Sequence, residues 1–226
     1  TMMGYDTALP VTMEDMIHHG AAVARGAKNA LVVVDMPFMS YQSSVYDAVV
    51  NAGRLMKEAR ANAVKLEGGV EVADRIRAIV DCQIPVCAHI GLTPQGINAL
   101  GGFKVQGKTA DSARKLLEDA HAVEEAGAFA VVLEAIPAEL AERVSAELTI
   151  PTIGIGAGAG CDGQVLVNQD MLGMFHDFTP KFVRRFAEVG DVMLEAYRAY
   201  DAAVKDGSFP AAEHTYAAPA GVLENL

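Results

Sequence analysis

No apolar run in the 226-residue chain reaches the roughly 18–20 residues that a membrane-spanning helix needs. Nothing at its start reads as a basic stretch followed by an apolar one, so no secretory leader is expected. Clustered cations are lacking too: 18 Lys and Arg are scattered among 29 Asp and Glu, for a formal charge of −11. Nucleic acids and anionic membranes bind through clustered cations that release counterions, so neither is expected as a partner. Cysteines are few. Cys82, Cys87 and Cys161 are odd in number and lack zinc-ligand spacing, which argues for a reducing, cytoplasmic setting.

What is present is an apolar, globular composition, with 51% hydrophobic and 21% charged residues. The length suits one large α/β domain better than two small ones. Nearly continuous apolar runs, as parallel strands covered on both faces require, occur at 29–37, 62–69, 84–92, 129–137, 150–158 and 163–170. Helical periodicity fills the intervals. Thr12, Ser43 or Ser44, and Thr109 are placed to cap three helices, Gly127 to stop the third, and Pro137 to open another. The longest helix is expected to open at Thr179-Pro180 and run to about Gly207. This places 1–207 in one (β/α) domain and 208–226 in a C-terminal tail.

Alternating β and α with right-handed crossovers builds either an open doubly wound sheet or a closed (β/α)8 barrel. The strand count alone does not decide between them. The polar residues decide more: Asp35, Lys65 with Glu67, His89 and Glu134 fall toward the C-terminal ends of four consecutive strands. Barrel enzymes collect their chemistry from many strands at that face, whereas an open sheet uses the crevice at its switch point. The barrel is therefore favoured.

In "AVKLEGG" (63–69) the alternation of an extended chain puts Lys65 and Glu67 on one face. Asp35 and Glu67 are hard oxygen ligands that suit Mg²⁺ better than zinc. The plain alternative is that Asp35 caps a turn and Glu67 pairs with Lys65. Lys65 beside a dication is a clamp for an anionic substrate. Glu134, in the apolar "VVLEAIP", has either a pKa raised by burial, as a general base requires, or one lowered by a helix N-terminus. His89 either hydrogen-bonds a substrate carboxylate or is a satisfied core residue. His18 and His19 are adjacent, so they lie on different helix faces and form no metal pair. "GIGAGAG" (154–160) lacks the Lys-Ser/Thr of a P-loop and reads as strand-end backbone with special φ/ψ. "GGFKVQGKT" (101–109) resembles a flap near the mouth.

The blocks "GYDTALPVTMEDMIHH", "VVVDMPFMSYQ", "AVKLEGG", "CAHIGLTPQ", "GGFKVQGKT", "VVLEAIP", "IPTIGIGAG" and "QVLVNQDMLG" together resemble the ketopantoate hydroxymethyltransferase family, from about Gly4 to Pro180. The resemblance implies a (β/α)8 TIM barrel of the phosphoenolpyruvate/pyruvate-binding type, assembled as a homodecamer. It implies transfer of a hydroxymethyl group from 5,10-methylenetetrahydrofolate to 3-methyl-2-oxobutanoate, by Mg²⁺-assisted enolisation, in pantothenate biosynthesis. The family's metal ligands fall on Asp35 and Glu67, its substrate lysine on Lys65 and its proton acceptor on Glu134. Asp35, Lys65 and His89 are thus the expected substrate contacts. In the family two further βα units precede this point, supplying the other two barrel strands and ending in a Gly-Asp-Ser motif whose Asp also binds the metal and whose Ser binds the substrate; neither has a counterpart here. The alternatives are a Mg²⁺-dependent C–C lyase or mutase of the isocitrate lyase and phosphoenolpyruvate mutase type, or an inactive binding subunit. Such lyases carry a Lys-Lys-Cys-Gly-His loop, where this chain has Cys161 in "AGCDG".

Overall fold

The computed structural model describes residues 2–223. These fall into two compact units that divide between Leu166 and Val167, so residues 167–207, expected in the barrel domain, group with the tail.

In the first unit, helices and strands alternate as α1 (Met13–Gly26), β1 (Val33–Asp35), α2 (Val45–Lys57), β2 (Ala63–Glu67), α3 (Ala73–Asp81), β3 (Val86–Gly91), the single turn α4 (Ile97–Leu100), α5 (Ala110–Glu125), β4 (Ala130–Glu134), α6 (Ala138–Glu147), β5 (Thr152–Ile155) and β6 (Gly163–Gln164). The helix starts are chemically determined. Thr12 and Thr109 each accept from the backbone N–H three residues on, and Ser44 does the same for α2, satisfying donors that the first turn leaves free. Pro137 stands at the N-cap of α6, where its missing N–H costs nothing.

All neighbouring strands pair in parallel, in the spatial order β1-β2-β3-β4-β5-β6. That order decides the fold. A doubly wound sheet reverses its direction of growth at a switch point, whereas here every crossover advances the same way. Right-handed crossovers that never reverse put all helices on one face and leave the other to close on itself, which is the (β/α)8 barrel. Among the described residues, six of its strands are present.

The helix-facing side is the core. Val64, Leu66, Val86, Ala88, Val131 and Leu133 are buried in one cluster with side chains such as Leu55, Ile76 and Ile79 of the covering helices. Period-two alternation then turns Lys65, Glu67, Cys87, His89, Val132 and Glu134 to the opposite, barrel-interior face. A strongly apolar chain thus gathers its ionisable groups inward without breaking its core.

Two expectations are corrected. The run 163–170 is a strand only over Gly163–Gln164, pinned by Val165 N–H to the Gly154 carbonyl, and Asn168–Met171 forms a short helix, α7. The long helix, α8 (Val189–Asp206), begins ten residues later than Thr179. The N–H groups of Phe186 and Val189 donate to the carbonyls of Met171 and Leu172, so the segment before α8 is tied to α7 instead of bonding along a helix. The end near Gly207 is where expected, with that glycine at φ +79°. No helix among the described residues is long and apolar enough to cross a membrane.

Leu133 is fully buried beside Glu134 and faces the helices. Leu133→Ala is expected to lower unfolding free energy by about 2–5 kcal/mol through lost transfer energy and a cavity. Urea denaturation followed by circular dichroism measures this.

Candidate active site

Register, not sequence proximity, assembles the site. Parallel pairing sets Asp35 of β1 opposite Lys65 of β2, Glu67 of β2 opposite His89 of β3, and Gly91 of β3 opposite Glu134 of β4. Four of the side chains form one continuous line. Lys65 Nζ lies 3.1 Å from Asp35 Oδ2 and 3.0 Å from His89 Nδ1, and His89 Nε2 lies 3.1 Å from Glu134 Oε2. Lys65 therefore does not take Glu67 as its ion-pair partner. The i, i+2 neighbour points the same way along one strand, while the cross-strand partner directly faces the ammonium.

Charge balance explains the state of each group. Burial works against the Lys65 ammonium, but Asp35 and Glu67 outweigh it and raise its pKa, so Lys65 is charged. His89 is pushed down to about 3, by burial first and then by Lys65, so its ring is neutral. A charged Lys65 has only protons to offer, so His89 Nδ1 must accept and the ring proton sits on Nε2. That Nε2–H lies 3.1 Å from Glu134 Oε2 and is also drawn by the Leu92 backbone, without a well-formed hydrogen bond although it is fully buried. A buried donor without a well-formed bond is costly, and a substrate oxygen would satisfy it.

Glu134 is raised to about 7 because burial disfavours its charge more than Lys65 favours it. Of the two opposed readings of this residue, desolvation prevails over the helix N-terminus. Glu67 is also raised to about 7, again by burial, against the opposing pull of Lys65 and the Gln95 N–H. Cys87, directly opposite Lys65, is held as a thiol by burial, at about 11. Three carboxylates thus surround one ammonium, and the excess negative charge fits a cation. The donors are hard oxygens. Carboxylate oxygens such as those of Asp35 and Glu67 are the donor type Mg²⁺ takes, while among the described residues no three His, Cys, Asp or Glu side chains converge to cage an ion.

Backbone details hold Glu134 in place. Gly91 has φ +93°, and a Cβ there would come within 2.4 Å of the Glu134 carbonyl oxygen, so only glycine allows this approach. That carbonyl accepts from Leu92 N–H at 2.8 Å. Ala135 follows at φ +48°, a strained conformation for a residue with a side chain. Its carbonyl receives Gln106 N–H from the 101–109 segment, which brings the expected flap beside Glu134. The "GIGAGAG" loop has positive φ at Gly156 and Gly158, as its composition predicts.

Two residues carry structure here that the sequence did not single out. Tyr41 and Gln95 are both buried and bond to one another, to the Glu67 backbone and carboxylate, and to Met36. Each lies in a loop after a strand, where the only signal is a polar side chain beside an apolar run.

Comparison with known proteins bears directly on this arrangement. The family model described as ketopantoate hydroxymethyltransferase matches residues 1–212. The chain belongs to the ketopantoate hydroxymethyltransferase family. It is 65% identical over 224 residues to the 3-methyl-2-oxobutanoate hydroxymethyltransferase of Clostridium novyi (strain NT), covering 99% of this chain and 82% of that protein. It is likewise 65% identical to the protein of that name from Enterococcus faecalis, with the same coverage. A crystal structure of 2,3-dimethylmalate lyase, described as a PEP mutase/isocitrate lyase superfamily member, aligns with a TM-score of 0.55 at 16% identity. It covers 95% of this chain and 74% of its own, and the likeness is one of fold. The family inferred from the sequence blocks is thus the one the comparisons return, and the barrel reading agrees with the superfamily fold.

Metal-free protein should contain a Glu134 carboxyl that is protonated below pH about 7 and ionised above it. Lys65→Met removes the cation that favours ionisation and should move the midpoint upward. Difference infrared titration against Glu134→Gln resolves the band.

Proposed function

We propose that the chain transfers a hydroxymethyl group from 5,10-methylenetetrahydrofolate to 3-methyl-2-oxobutanoate, giving 2-dehydropantoate in pantothenate biosynthesis. The observation that carries this reading is the unbroken line Asp35–Lys65–His89–Glu134, with successive contacts of 3.1, 3.0 and 3.1 Å. It sets a base of raised pKa beside a fixed cation and a neutral donor. That combination suits removing a proton next to a carbonyl and stabilising the charge left on oxygen.

In this mechanism Glu134 takes the proton from C3 of the keto acid. The electron pair left on C3 bonds to the methylene carbon of the folate, water supplies the hydroxyl oxygen, and tetrahydrofolate leaves. Lys65 and the Nε2–H of His89 donate to the keto-acid oxygens as negative charge builds on them. Asp35 and Glu67 are the ligands for Mg²⁺, and Asp35 also holds the Lys65 ammonium toward the substrate. When bound, Mg²⁺ supplies Lewis-acid polarisation of the keto-acid oxygens. Burial serves the chemistry twice: it excludes water from the carbanion and keeps Glu134 basic enough to act. Assembly as a homodecamer in the cytoplasm is part of the same reading. Exposed apolar side chains along α8, Val192, Leu194, Tyr197 and Tyr200 among them, are compatible with a subunit interface.

Glu134→Gln should abolish exchange of the C3 proton with deuterated solvent, a loss of at least about 100-fold, while keto-acid binding persists. Proton NMR of the keto acid with catalytic enzyme measures exchange, and calorimetry measures binding. Normal exchange in the variant would remove Glu134 from the base role. Absence of metal-dependent keto-acid binding in the unaltered chain would favour a non-catalytic subunit.

A further inference from the structure

We propose that Gln95, braced by Tyr41, is a positioning residue that sets the spacing of Asp35 and Glu67 and biases Glu67 toward binding a metal ion through one oxygen. The proposal rests on the assignment of these two carboxylates as metal ligands and deepens it.

Gln95 sits in the turn Pro94–Gly96 that follows β3, yet its bonds run to the ends of β1 and β2. Its backbone N–H donates to Glu67 Oε2 at 2.9 Å. Its side-chain Nε2 donates to the Met36 carbonyl at 2.8 Å, one residue beyond Asp35. One residue thus grips the carboxylate of one proposed ligand and the backbone adjoining the other. Its Oε1 accepts from Gln42 Nε2 at 3.2 Å and, at 3.0 Å, shares the one Tyr41 hydroxyl proton with the Glu67 carbonyl at 3.1 Å, which fixes the amide's orientation. The Tyr41 oxygen in turn accepts from Glu67 N–H at 3.1 Å. Tyr41 and Gln95 are 1% and 9% exposed, so these bonds are shielded from competing water.

The residue types follow from the task. The position needs a donor toward Met36 and an acceptor toward Tyr41 at once, which a neutral amide supplies. Glutamate would add a further negative charge to a site already crowded with carboxylates. Leucine would leave the Met36 carbonyl without this donor and the Tyr41 hydroxyl without this acceptor. The Gln95 N–H takes one lone pair of Glu67 Oε2, so Oε1 is the less encumbered oxygen for a cation. One-oxygen ligation at a fixed separation suits the short, rigid octahedral shell of Mg²⁺ and disfavours the larger, often bidentate shell of Ca²⁺.

The test uses the full chain with Mn²⁺ as a spin-active substitute for Mg²⁺, free Mn²⁺ being followed by electron paramagnetic resonance and Ca²⁺ added as competitor. Gln95→Leu is expected to weaken Mn²⁺ binding about 10–100-fold and to shift Mn²⁺/Ca²⁺ preference toward Ca²⁺, as loss of an outer-shell partner does. Tyr41→Phe, which keeps the ring and removes only the hydroxyl, should change both quantities in the same direction by up to about tenfold, so the test survives if Gln95→Leu fails to fold. Thermal melts report folding separately. Folded variants with unaltered Mn²⁺ affinity and selectivity would overturn the proposal, even with lowered melting temperatures. If the unaltered chain binds Mn²⁺ no better than Glu67→Gln does, the ligand assignment itself falls and the proposal with it.

Discussion

A single largely buried ammonium organises the mouth of this barrel. Lys65 is reached by Asp35 from β1 and by His89 from β3, so three adjacent strands share one charge. Placing an ammonium in an apolar wall is unfavourable unless countercharges and acceptors meet it. Asp35, whose side chain is 44% exposed, gives a pair softened by solvent, and the second contact, to His89 Nδ1, completes the ammonium's surroundings. Everything further along the line follows from that contact. Lys65 forces the neutral histidine to accept on Nδ1, which leaves the ring proton on Nε2, beside Glu134.

The same burial that makes Lys65 expensive makes the carboxylates useful. Glu67 and Glu134 are both lifted to about 7 by desolvation, yet their surroundings differ. Glu67 receives a backbone N–H and a frame of neutral hydrogen bonds, which suits a fixed ligand. Glu134 faces an unaligned histidine and a strained Ala135, which suits a group that must exchange a proton with something not yet bound. Two similar acids on neighbouring parts of one sheet are thus separated in role by their hydrogen bonds.

Much of this was legible in the sequence. Continuous apolar runs located five strands closely, because a strand buried on both faces leaves little choice of residue; Thr12, Ser44 and Thr109 marked helix starts because a hydroxyl there satisfies a free N–H. Carboxylates at the ends of β1, β2 and β4 pointed to the C-terminal face of the sheet for the same reason, since the apolar wall tolerates them nowhere else. What was not legible depends on register. That Lys65 faces Asp35 rather than Glu67 is decided by how β1 slides against β2, which no local pattern encodes. Tyr41 and Gln95 were not singled out because their partners lie 26 to 59 positions away. Thr179-Pro180 is a sound helix-opening signal that longer-range backbone bonds to Met171 and Leu172 override.

The protonation of His89 tests the central charge arrangement most directly. The chain holds 6 histidines, and nitrogen-15 NMR of the labelled protein, with His89→Gln to assign the resonance, reports which ring nitrogen carries hydrogen. The account predicts a neutral ring at pH about 6, protonated on Nε2, with that preference lost in Lys65→Met. An imidazolium at that pH, or a neutral ring protonated on Nδ1, would contradict it.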